Sequence, residues 1–266
     1  MTGAHAPRAL IVGVLMAALI AAGCAESSPA PPNTQATTST VAFASRAALD
    51  LEATQDGMGD PLAPTLGNGG YDVAHYDLTL NWEPETTTLE AEVVITAAAT
   101  TDLDVFNLDF TGFVIDRIAV ADEDAEVGRQ GHELIVTPQT TIAAGEEFVV
   151  VVDYRGTPEP TRSELARGQV GWITLPDGSV YVRNDPDGAH TWFPVNDHPS
   201  DRAYFTLTIT VPPDLTAISS GTLERDLERE THRLFEWATP TEIAPHTLDL
   251  LIGDLTVFEY LSLKHI

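Results

Sequence analysis

Short segments in which apolar and polar residues alternate dominate the chain from Tyr71 onward, and this pattern constrains the fold more than any other feature. Successive side chains of an extended strand point to opposite faces, so strict alternation predicts a strand with one buried face. The apolar face of the segment AYFTLTITVP consists of Phe205, Leu207, Ile209 and Val211. The second half of YDVAHYDLTLNW alternates in the same way, through Tyr76, Leu78, Leu80 and Trp82.

About a dozen such segments follow one another at fairly regular spacing, with almost no helical periodicity between them. Pro176-Asp177-Gly178 is a hairpin-turn signal between the apolar segments VGWITL and SVYVRN. Many short strands separated by turn residues are typical of a sandwich or a barrel. The sequence therefore predicts an all-β fold, an antiparallel β-sandwich of about a dozen strands.

Residues 1–23 have the pattern of a lipoprotein-type signal peptide. Arg8 supplies a positive charge, and an apolar run from Ala9 to Ala22 is short for a membrane span. The run leads through small residues to Cys24, the position that is lipidated in bacterial lipoproteins. We therefore expect an exported lipoprotein that faces outward and is held to the cell membrane by lipid on Cys24. Simple secretion is the alternative.

Residues 24–56 predict a disordered tether, because they are rich in Ser, Thr, Pro and Ala and have no apolar period. Residues 57–266 then form the predicted β domain. Cys24 is the only cysteine, so the domain has no disulfide and depends on burial of its core. The last six residues, LSLKHI, follow a predicted strand without a polar tail, and from them we expect a partial chain.

The charge balance is 40 acidic against 13 basic residues, a formal net charge of −27. Binding to nucleic acid requires patches of Lys and Arg, so no nucleic-acid partner is expected. The same deficit argues against electrostatic attachment to anionic lipid. Solubility is one interpretation of the acidity, and attraction of cationic ligands such as peptide amino termini is another.

One stretch, RQGHELIVTP, resembles the start of a zinc-peptidase motif without completing it. In H-E-x-x-H the two histidines lie one helical turn apart and hold the metal. Here His132 and Glu133 are followed by Val136 where the second histidine should stand, and the stretch is predicted to be a strand. No zinc ligand is therefore assigned to this chain.

The loop at 181–205, YVRNDPDGAHTWFPVNDHPSDRAYF, carries the densest group of unusual residues. Asp185, Asp187 and Gly188 resemble a fragment of a calcium loop, but further oxygen ligands and a closing Glu are missing, so calcium is a minor alternative. His190 and His198 do not have a metal-ligand spacing. We expect these two histidines to order the loop through hydrogen bonds.

Catalytic motifs are not evident. There is no G-x-S-x-G segment, and the single cysteine belongs to the leader. A carboxylate pair for glycoside hydrolysis could be chosen from 40 acidic residues in many ways and has no specificity. No catalytic residue is assigned.

The 181–205 loop resembles the signature segment of the aminopeptidase N family of zinc metallopeptidases, Ala-Arg-x-x-Phe-Pro-x-x-Asp-x-Pro. The matching residues are Ala189, Phe193, Pro194, Asp197 and Pro199, while His190 replaces the usual Arg. The likeness extends to GNGGYDVAHYDLTLNWEP, LDFTGF, ELIVTP and LDLLIGDLTVFE, and is especially close to actinobacterial members.

This resemblance implies a saddle-like all-β N-terminal domain that packs against a thermolysin-like catalytic domain. In the family, an acidic residue before the proline of Glu-Pro-x-x-Ala binds the free α-amino group of the substrate. The matching residue is Asp185, one methylene shorter than the family's Glu. A buried ammonium group requires a carboxylate partner, because its desolvation otherwise opposes binding. Turn formation before Pro186 is the alternative role of Asp185.

The resemblance also implies that the zinc helix lies C-terminal to this domain, so zinc is expected only in a catalytic domain encoded downstream. We expect a non-catalytic part of a zinc aminopeptidase that binds peptide amino termini and is inactive alone. The alternative is a stand-alone surface lipoprotein that acts as a binding module. A module of that kind should lack a large exposed apolar face, whereas a domain separated from its catalytic partner should have one.

Overall fold

The structure is a computed structural model that describes residues 57–257. Within that range the chain forms sixteen strands and two short 3-10 helices, at Ala189–Thr191 and Pro245–Thr247. In chain order the strands are β1 (Tyr71–Glu83), β2 (Thr88–Ala99), β3 (Phe106–Asp109), β4 (Val114–Val120), β5 (Glu123–Asp124), β6 (Glu126–Gln130), β7 (Glu133–Thr137), β8 (Glu147–Gly156), β9 (Thr161–Arg162), β10 (Gln169–Thr174), β11 (Val180–Arg183), β12 (Tyr204–Val211), β13 (Thr216–Ser219), β14 (Thr222–Glu228), β15 (Arg233–Ala238) and β16 (Leu250–Gly253).

These strands make three sheets, which confirms the all-β prediction. The largest has eight strands in the order β14-β15-β12-β1-β2-β8-β4-β5. The second has five in the order β13-β16-β11-β10-β9, and the third has three in the order β3-β7-β6. Strands that are distant in sequence are therefore neighbours in each sheet, and the order places the loop after β11 beside the core.

One strand pair departs from the expected antiparallel arrangement. β1 and β12 run parallel at the centre of the eight-stranded sheet, with Tyr76 opposite Phe205 and Leu78 opposite Leu207. Parallel neighbours require a long crossover rather than a hairpin. Here the intervening chain builds β2 to β11, so β12 can enter the sheet in the same direction as β1. The alternating residues predicted to be buried in both strands are buried.

The core lies between the apolar faces of the eight-stranded and five-stranded sheets. The rings of Trp82 on β1 and Trp172 on β10 approach to 5.0 Å between centroids. Tyr76 meets Phe193, from the loop after β11, at 5.8 Å. Burying each of these side chains contributes roughly 1.5–3 kcal/mol. The aromatic residues of the loop therefore belong to the core that joins the two sheets.

The three-stranded sheet packs against one end of this core. The hydroxyl group of Tyr71 donates a hydrogen bond to the carbonyl oxygen of Asn107 on β3, at 2.7 Å. Just after β3, the ring of Phe110 lies 4.8 Å from that of Tyr154 on β8. These contacts bring the end of β3 next to the loop after β11.

The predicted hairpin at Pro176-Asp177-Gly178 is confirmed between β10 and β11. Gly178 has a φ of +85°, a left-handed conformation that glycine adopts without steric cost. Its N–H donates to the carbonyl oxygen of Leu175 at 3.0 Å, and Leu175 N–H donates to Ser179 at 2.7 Å.

The predicted signal peptide at 1–23, the lipidation site Cys24 and the tether at 24–56 all lie outside the described residues, as do residues 258–266. Among the residues that are described, no helix has the length and apolar character needed to cross a membrane.

Candidate functional site

Asp185 lies in an exposed turn immediately after β11. The turn is closed by the N–H of Gly188, which donates to the carbonyl oxygen of Asn184 at 2.7 Å. The peptide bond between Asp185 and Pro186 is cis. The closed turn holds the carboxylate of Asp185 at the surface, next to the end of the five-stranded sheet.

Asn184 fixes the start of this turn. Its side chain is buried, and Oδ1 accepts a hydrogen bond from the indole Nε1 of Trp192 at 3.0 Å. Nδ2 donates to the carbonyl oxygens of Leu248 at 2.6 Å and Pro245 at 3.4 Å. An amide suits this position because it offers a donor and an acceptor in one side chain.

The 3-10 helix Ala189–Thr191 fixes the other end of the turn. Thr191 Oγ1 donates to the carbonyl oxygen of Gly188 at 2.9 Å and accepts from the N–H of Trp172 at 3.3 Å. Gly171 makes room for this contact, since a Cβ atom there would lie 1.9 Å from Thr191 Oγ1. Its φ of +94° also favours glycine. The helix is therefore packed directly against β10.

The signature residues that follow are structural. Ala189, Phe193 and Asp197 are almost completely buried. The carbonyl oxygen of Trp192 accepts a hydrogen bond from the hydroxyl group of Tyr154 at 2.7 Å. Of the acidic residues in this part of the loop, Asp185 is thus exposed while Asp197 is enclosed.

His190 is held by Asp197 through two groups. The ring Nδ1 and the backbone N–H of His190 each lie 3.1 Å from Oδ2 of Asp197. The carbonyl oxygen of His190 accepts from the N–H of Thr111, just after β3, at 3.0 Å. Nε2 of His190 and Oδ1 of Asp197 have no hydrogen-bond partner among the described residues. The expectation that His190 orders the loop through hydrogen bonds is confirmed.

Asp109, the last residue of β3, continues this network. Its Oδ2 accepts the backbone N–H of Asp197 at 2.8 Å, and its own N–H donates to Val195 at 2.8 Å. Burial raises the pKa of Asp109 well above its usual value, and the neighbouring carboxylates of Glu133 and Asp197 raise it further. His132, from the turn between β6 and β7, contacts His190 with 4.9 Å between ring centroids.

His198 orders the end of the loop, as expected. Its Nδ1 lies 2.7 Å from Oγ of Ser200, and its Nε2 lies 3.5 Å from Oδ2 of Asp60.

The residues described here do not fit a zinc site. Glu133 begins β7, a strand as predicted, and Val136 is buried in it. Within 57–257 there is no group of three His, Cys, Asp or Glu side chains arranged to hold a metal ion. The calcium alternative at Asp185 and Asp187 gains no support from this geometry.

An apolar row crosses the outward face of the five-stranded sheet. Residues directly opposite each other in neighbouring strands lie on the same face. By this register the row runs across four strands and consists of Ile173, Tyr181, Leu251 and Ile218. Tyr181 is 37% exposed and Leu251 is 38% exposed. Tyr181 lies on β11, the strand that leads into the Asp185 turn.

A surface cavity lies elsewhere. Its volume is about 450 Å³, and it opens at the end of β1, where Trp82, Thr88 and His232 contribute to its wall. No residue of the 181–205 loop lines it.

Sequence reasoning did not identify Asn184, Asp109 or His132 as parts of this site. Asn184 precedes an acidic turn and had no motif of its own, although an Asn before Asp-Pro is a turn signal. Asp109 and His132 join the loop only through tertiary contacts, and no local pattern marks them.

The model of the peptidase M1 N-terminal domain matches residues 73–244, more than half of the chain. A variant of the M1 zinc metallopeptidase of Deinococcus radiodurans, solved with a Tyr-Ser-Ala substrate, is 29% identical with a TM-score of 0.68. The match covers 74% of this chain and 45% of that one.

Two further solved structures are similar. A two-domain M1 zinc metallopeptidase variant bound to L-arginine is 30% identical, with a TM-score of 0.67 and coverage of 74% of this chain and 45% of that one. Yeast LTA4 hydrolase in complex with bestatin is 18% identical, with a TM-score of 0.55 over 70% of this chain and 29% of that one, a likeness of fold alone. The chain therefore spans less than half of each of these proteins.

Proposed function

The chain belongs to the peptidase M1 N-terminal domain family, and from this premise we propose that it is the non-catalytic N-terminal part of a zinc aminopeptidase. It provides a scaffold for the catalytic domain, and Asp185 provides the carboxylate that binds the α-amino group of a peptide substrate. Zinc and the residues that bind it are assigned to the catalytic part. No catalytic step is assigned to residues 57–257.

The turn at Asp185 is the observation that carries this proposal. Its carboxylate is exposed, while Asn184 and the helix Ala189–Thr191 fix the two ends of the turn by buried hydrogen bonds. A carboxylate on a fixed turn binds an ammonium group with less loss of side-chain and loop entropy than one on a mobile segment. The geometry therefore suits recognition of a cationic chain end.

The ligands of the similar metallopeptidases support the same class of substrate. They are a Tyr-Ser-Ala substrate, L-tryptophan and L-arginine. These molecules differ in side chain and length, and the chemical group they share at one end is an α-amino group. We extend that common feature to this chain.

The apolar row Ile173, Tyr181, Leu251 and Ile218 supports docking of a catalytic domain. Domains that meet within one protein bury apolar side chains that would otherwise face water. One member of the row, Tyr181, lies on the strand that leads into the Asp185 turn, so a domain seated on the row would lie on the sheet that carries this turn. The stand-alone module predicted no large exposed apolar face, and in this row Tyr181 and Leu251 are exposed while Ile173 and Ile218 are half-buried.

A first test reads the genomic DNA beyond codon 266. A contiguous frame that encodes H-E-x-x-H and a later Glu would support the proposal. An immediate stop with no such motif nearby would overturn it.

A kinetic test on the enzyme so encoded compares wild type with Asp185→Asn, which keeps the shape of the side chain and removes its charge. A hydrogen bond to a charged group is worth roughly 1.5–3 kcal/mol, so kcat/KM for a substrate with a free α-amino group should fall about tenfold to a hundredfold. Cleavage of an N-acetylated analogue should not change. Asp177→Asn, in the exposed β10–β11 turn, is the matched control and should behave like wild type.

Attachment to the membrane through Cys24 belongs to the same proposal. Mass spectrometry of the mature amino terminus should find a lipid-modified cysteine, and Cys24→Ala should move the protein from the membrane fraction to the medium. An unmodified amino terminus with the wild-type protein already in the medium would favour simple secretion.

A further inference from the structure

Every polar group of His190 except Nε2 makes a hydrogen bond, within the 181–205 loop for the ring and the N–H, and to the chain after β3 for the carbonyl oxygen. Its ring and its N–H share Oδ2 of Asp197, and its carbonyl oxygen accepts from Thr111. Its side chain is only 7% exposed, and that of Asp197 only 2%. In the described part of the chain, His190 is the one basic side chain within 4 Å of Asp197.

The environment of His190 is strongly acidic. The carboxylates that act on its ring come from the loop and from β3 and are Asp197, Asp109 and Asp187. β7 contributes Glu133, which acts on Asp109, and the β6–β7 turn contributes His132.

The other neighbours of His190 add no charge to its surroundings. β10 packs against the helix that carries His190 and contributes Gly171 and Trp172, neither of which titrates. Arg129 on β6 is engaged elsewhere, with the carbonyl oxygens of Phe110 and Phe113.

A buried carboxylate needs a compensating charge, since its desolvation is otherwise costly. Burial lowers the pKa of His190, but the hydrogen bond and charge of Asp197, followed by the charges of Asp109 and Asp187, outweigh it, so the pKa is raised. Burial lowers the pKa of His132, and the charge of His190 lowers it further. Of the two rings, His190 therefore binds a proton more readily than His132.

We propose that His190 is a positioning residue for Asp185, and that its protonated ring holds the loop by an ion pair with Asp197 that weakens when the proton is lost. The proposal rests on the assignment of Asp185 as the amine-binding carboxylate. His190 lies two residues after Gly188, whose N–H closes the Asp185 turn on Asn184. Release of His190 thus acts directly on the C-terminal end of that turn.

A competing explanation is that His190 is a neutral histidine that donates from Nδ1 to Asp197 at every pH. A neutral hydrogen bond of this kind would hold the loop equally well in acid and base. The two explanations differ in whether the geometry of the turn follows the titration of the ring.

NMR titration of the full 266-residue chain, labelled with ¹³C and ¹⁵N, separates them. The ring resonance of His190 and the backbone amides of Asp185 and Gly188 are followed from pH 5.5 to 9. We expect His190 to titrate above 6.5, the usual histidine value. The two amides should shift with the same midpoint.

Three variants test the cause. His190→Asn keeps a donor near the Nδ1 position without a charge, and it should abolish the shifts of the Asp185 and Gly188 amides in this range. Asp197→Asn should lower the midpoint of His190 by at least one pH unit. His132→Asn is the matched control, because it removes the neighbouring imidazole and should leave the midpoints of the two amides coincident with that of His190.

The proposal is overturned if His190 does not titrate in this range, or if the amides titrate unchanged in His190→Asn, which would point to Asp109 instead. If His190→Asn fails to fold, two measurements still separate the two explanations. They are the agreement of the wild-type midpoints and the lowering of the His190 midpoint in Asp197→Asn. No substrate is used, so failure of Asp185 to bind amines would leave these results unaffected and would be seen only in the kinetics of Asp185→Asn.

Discussion

The indole N–H of Trp192 donates a hydrogen bond to the side-chain oxygen of Asn184, with 3.0 Å between the two atoms. The two residues stand on either side of the turn that carries Asp185. Because the amide of Asn184 also donates to Leu248 at 2.6 Å, its orientation is fixed and its oxygen faces the indole. The position of an exposed carboxylate thus depends on a buried bond across its own loop.

Trp192→Phe should destabilise the domain and disturb the Asp185 turn. The change removes the only donor that Asn184 Oδ1 has in the described residues and leaves a buried acceptor unpaired, which costs about 1–3 kcal/mol, apart from the lost ring volume. Chemical denaturation of the two proteins measures the loss of unfolding free energy.

Trp237→Phe is the comparison for this change, because Trp237 also donates from its indole, to the carbonyl oxygen of Ala217 at 3.2 Å, but is only half-buried. Water can replace that hydrogen bond, so Trp237→Phe should lose less unfolding free energy than Trp192→Phe. Equal losses in the two variants would contradict a special role for the Asn184–Trp192 bond.

Gly171→Ala should be far more destabilising than Gly178→Ala. Both glycines have positive φ values, +94° and +85°, so both substitutions strain the backbone by a similar amount. A Cβ atom at Gly171 would also lie 1.9 Å from Thr191 Oγ1, whereas one at Gly178 meets nothing within 4 Å. Thermal unfolding should show Gly178→Ala losing about 1–2 kcal/mol and Gly171→Ala clearly more. Similar melting temperatures would show that the helix Ala189–Thr191 can move away from β10 at little cost.

The stability of the domain should depend on pH through Asp201. Burial raises the pKa of Asp201 to about 7. Because the folded-state pKa is raised, protonated Asp201 contributes to the free energy of unfolding fully below the usual pKa of about 3.9, and this contribution is lost as the pH rises through about 7. Its upper limit is about 4 kcal/mol. Denaturation at several pH values should therefore show part of this loss in wild type.

Asp201→Asn should remove that part of the pH dependence, because Asn carries no charge at any pH. Asp214→Asn, at an exposed position, should retain the wild-type profile. If Asp201→Asn lost stability between pH 4 and 7 as steeply as wild type, another buried group would be responsible, and Asp109 would be the next to test.

Glu92→Gln should stabilise the domain slightly at pH 7. Glu92 on β2 is directly opposite Asp153 on β8. Partial burial raises the pKa of Glu92, and the charge of Asp153 raises it further. Opposed like charges cost roughly 0.2–1 kcal/mol, and the gain should vanish in acid, where Glu92 is protonated. Glu90→Gln provides the contrast, because Glu90 is opposite Arg155 and its change should bring no gain.

The strands that sequence predicts well are those with one buried face. β12 was predicted from its alternation, and Phe205 and Leu207 are buried as expected. β14, with the sequence TLERDLE, was not predicted, because it is an edge strand that is almost entirely exposed and has no apolar face to produce a pattern. Local periodicity reports burial, and it gives no signal for a strand that is held by backbone pairing and by exposed ion pairs such as Asp226 with Arg233.

Only the part of the candidate site that lies within one continuous chain segment could be predicted from the sequence. Asp185 was identified because it precedes a proline in a recognisable loop. The contact of His132 with His190 depends on the three-stranded sheet meeting the loop, which no spacing in the sequence encodes. The parallel pairing of β1 with β12 was missed for the same reason, since alternation identifies a buried face and not the neighbour or its direction.

Because β1 and β12 are paired but far apart in sequence, β1 is synthesised long before its partner strand. His75 on β1 meets Thr206 on β12, 131 residues further along the chain. At about 5–20 residues per second, a ribosome takes roughly 7–26 s to cover that distance. Throughout this interval one edge of β1 has no partner and can pair with other chains. The aggregation risk of the newborn chain is therefore set by the position of β12, and a break anywhere before it would leave that edge open permanently.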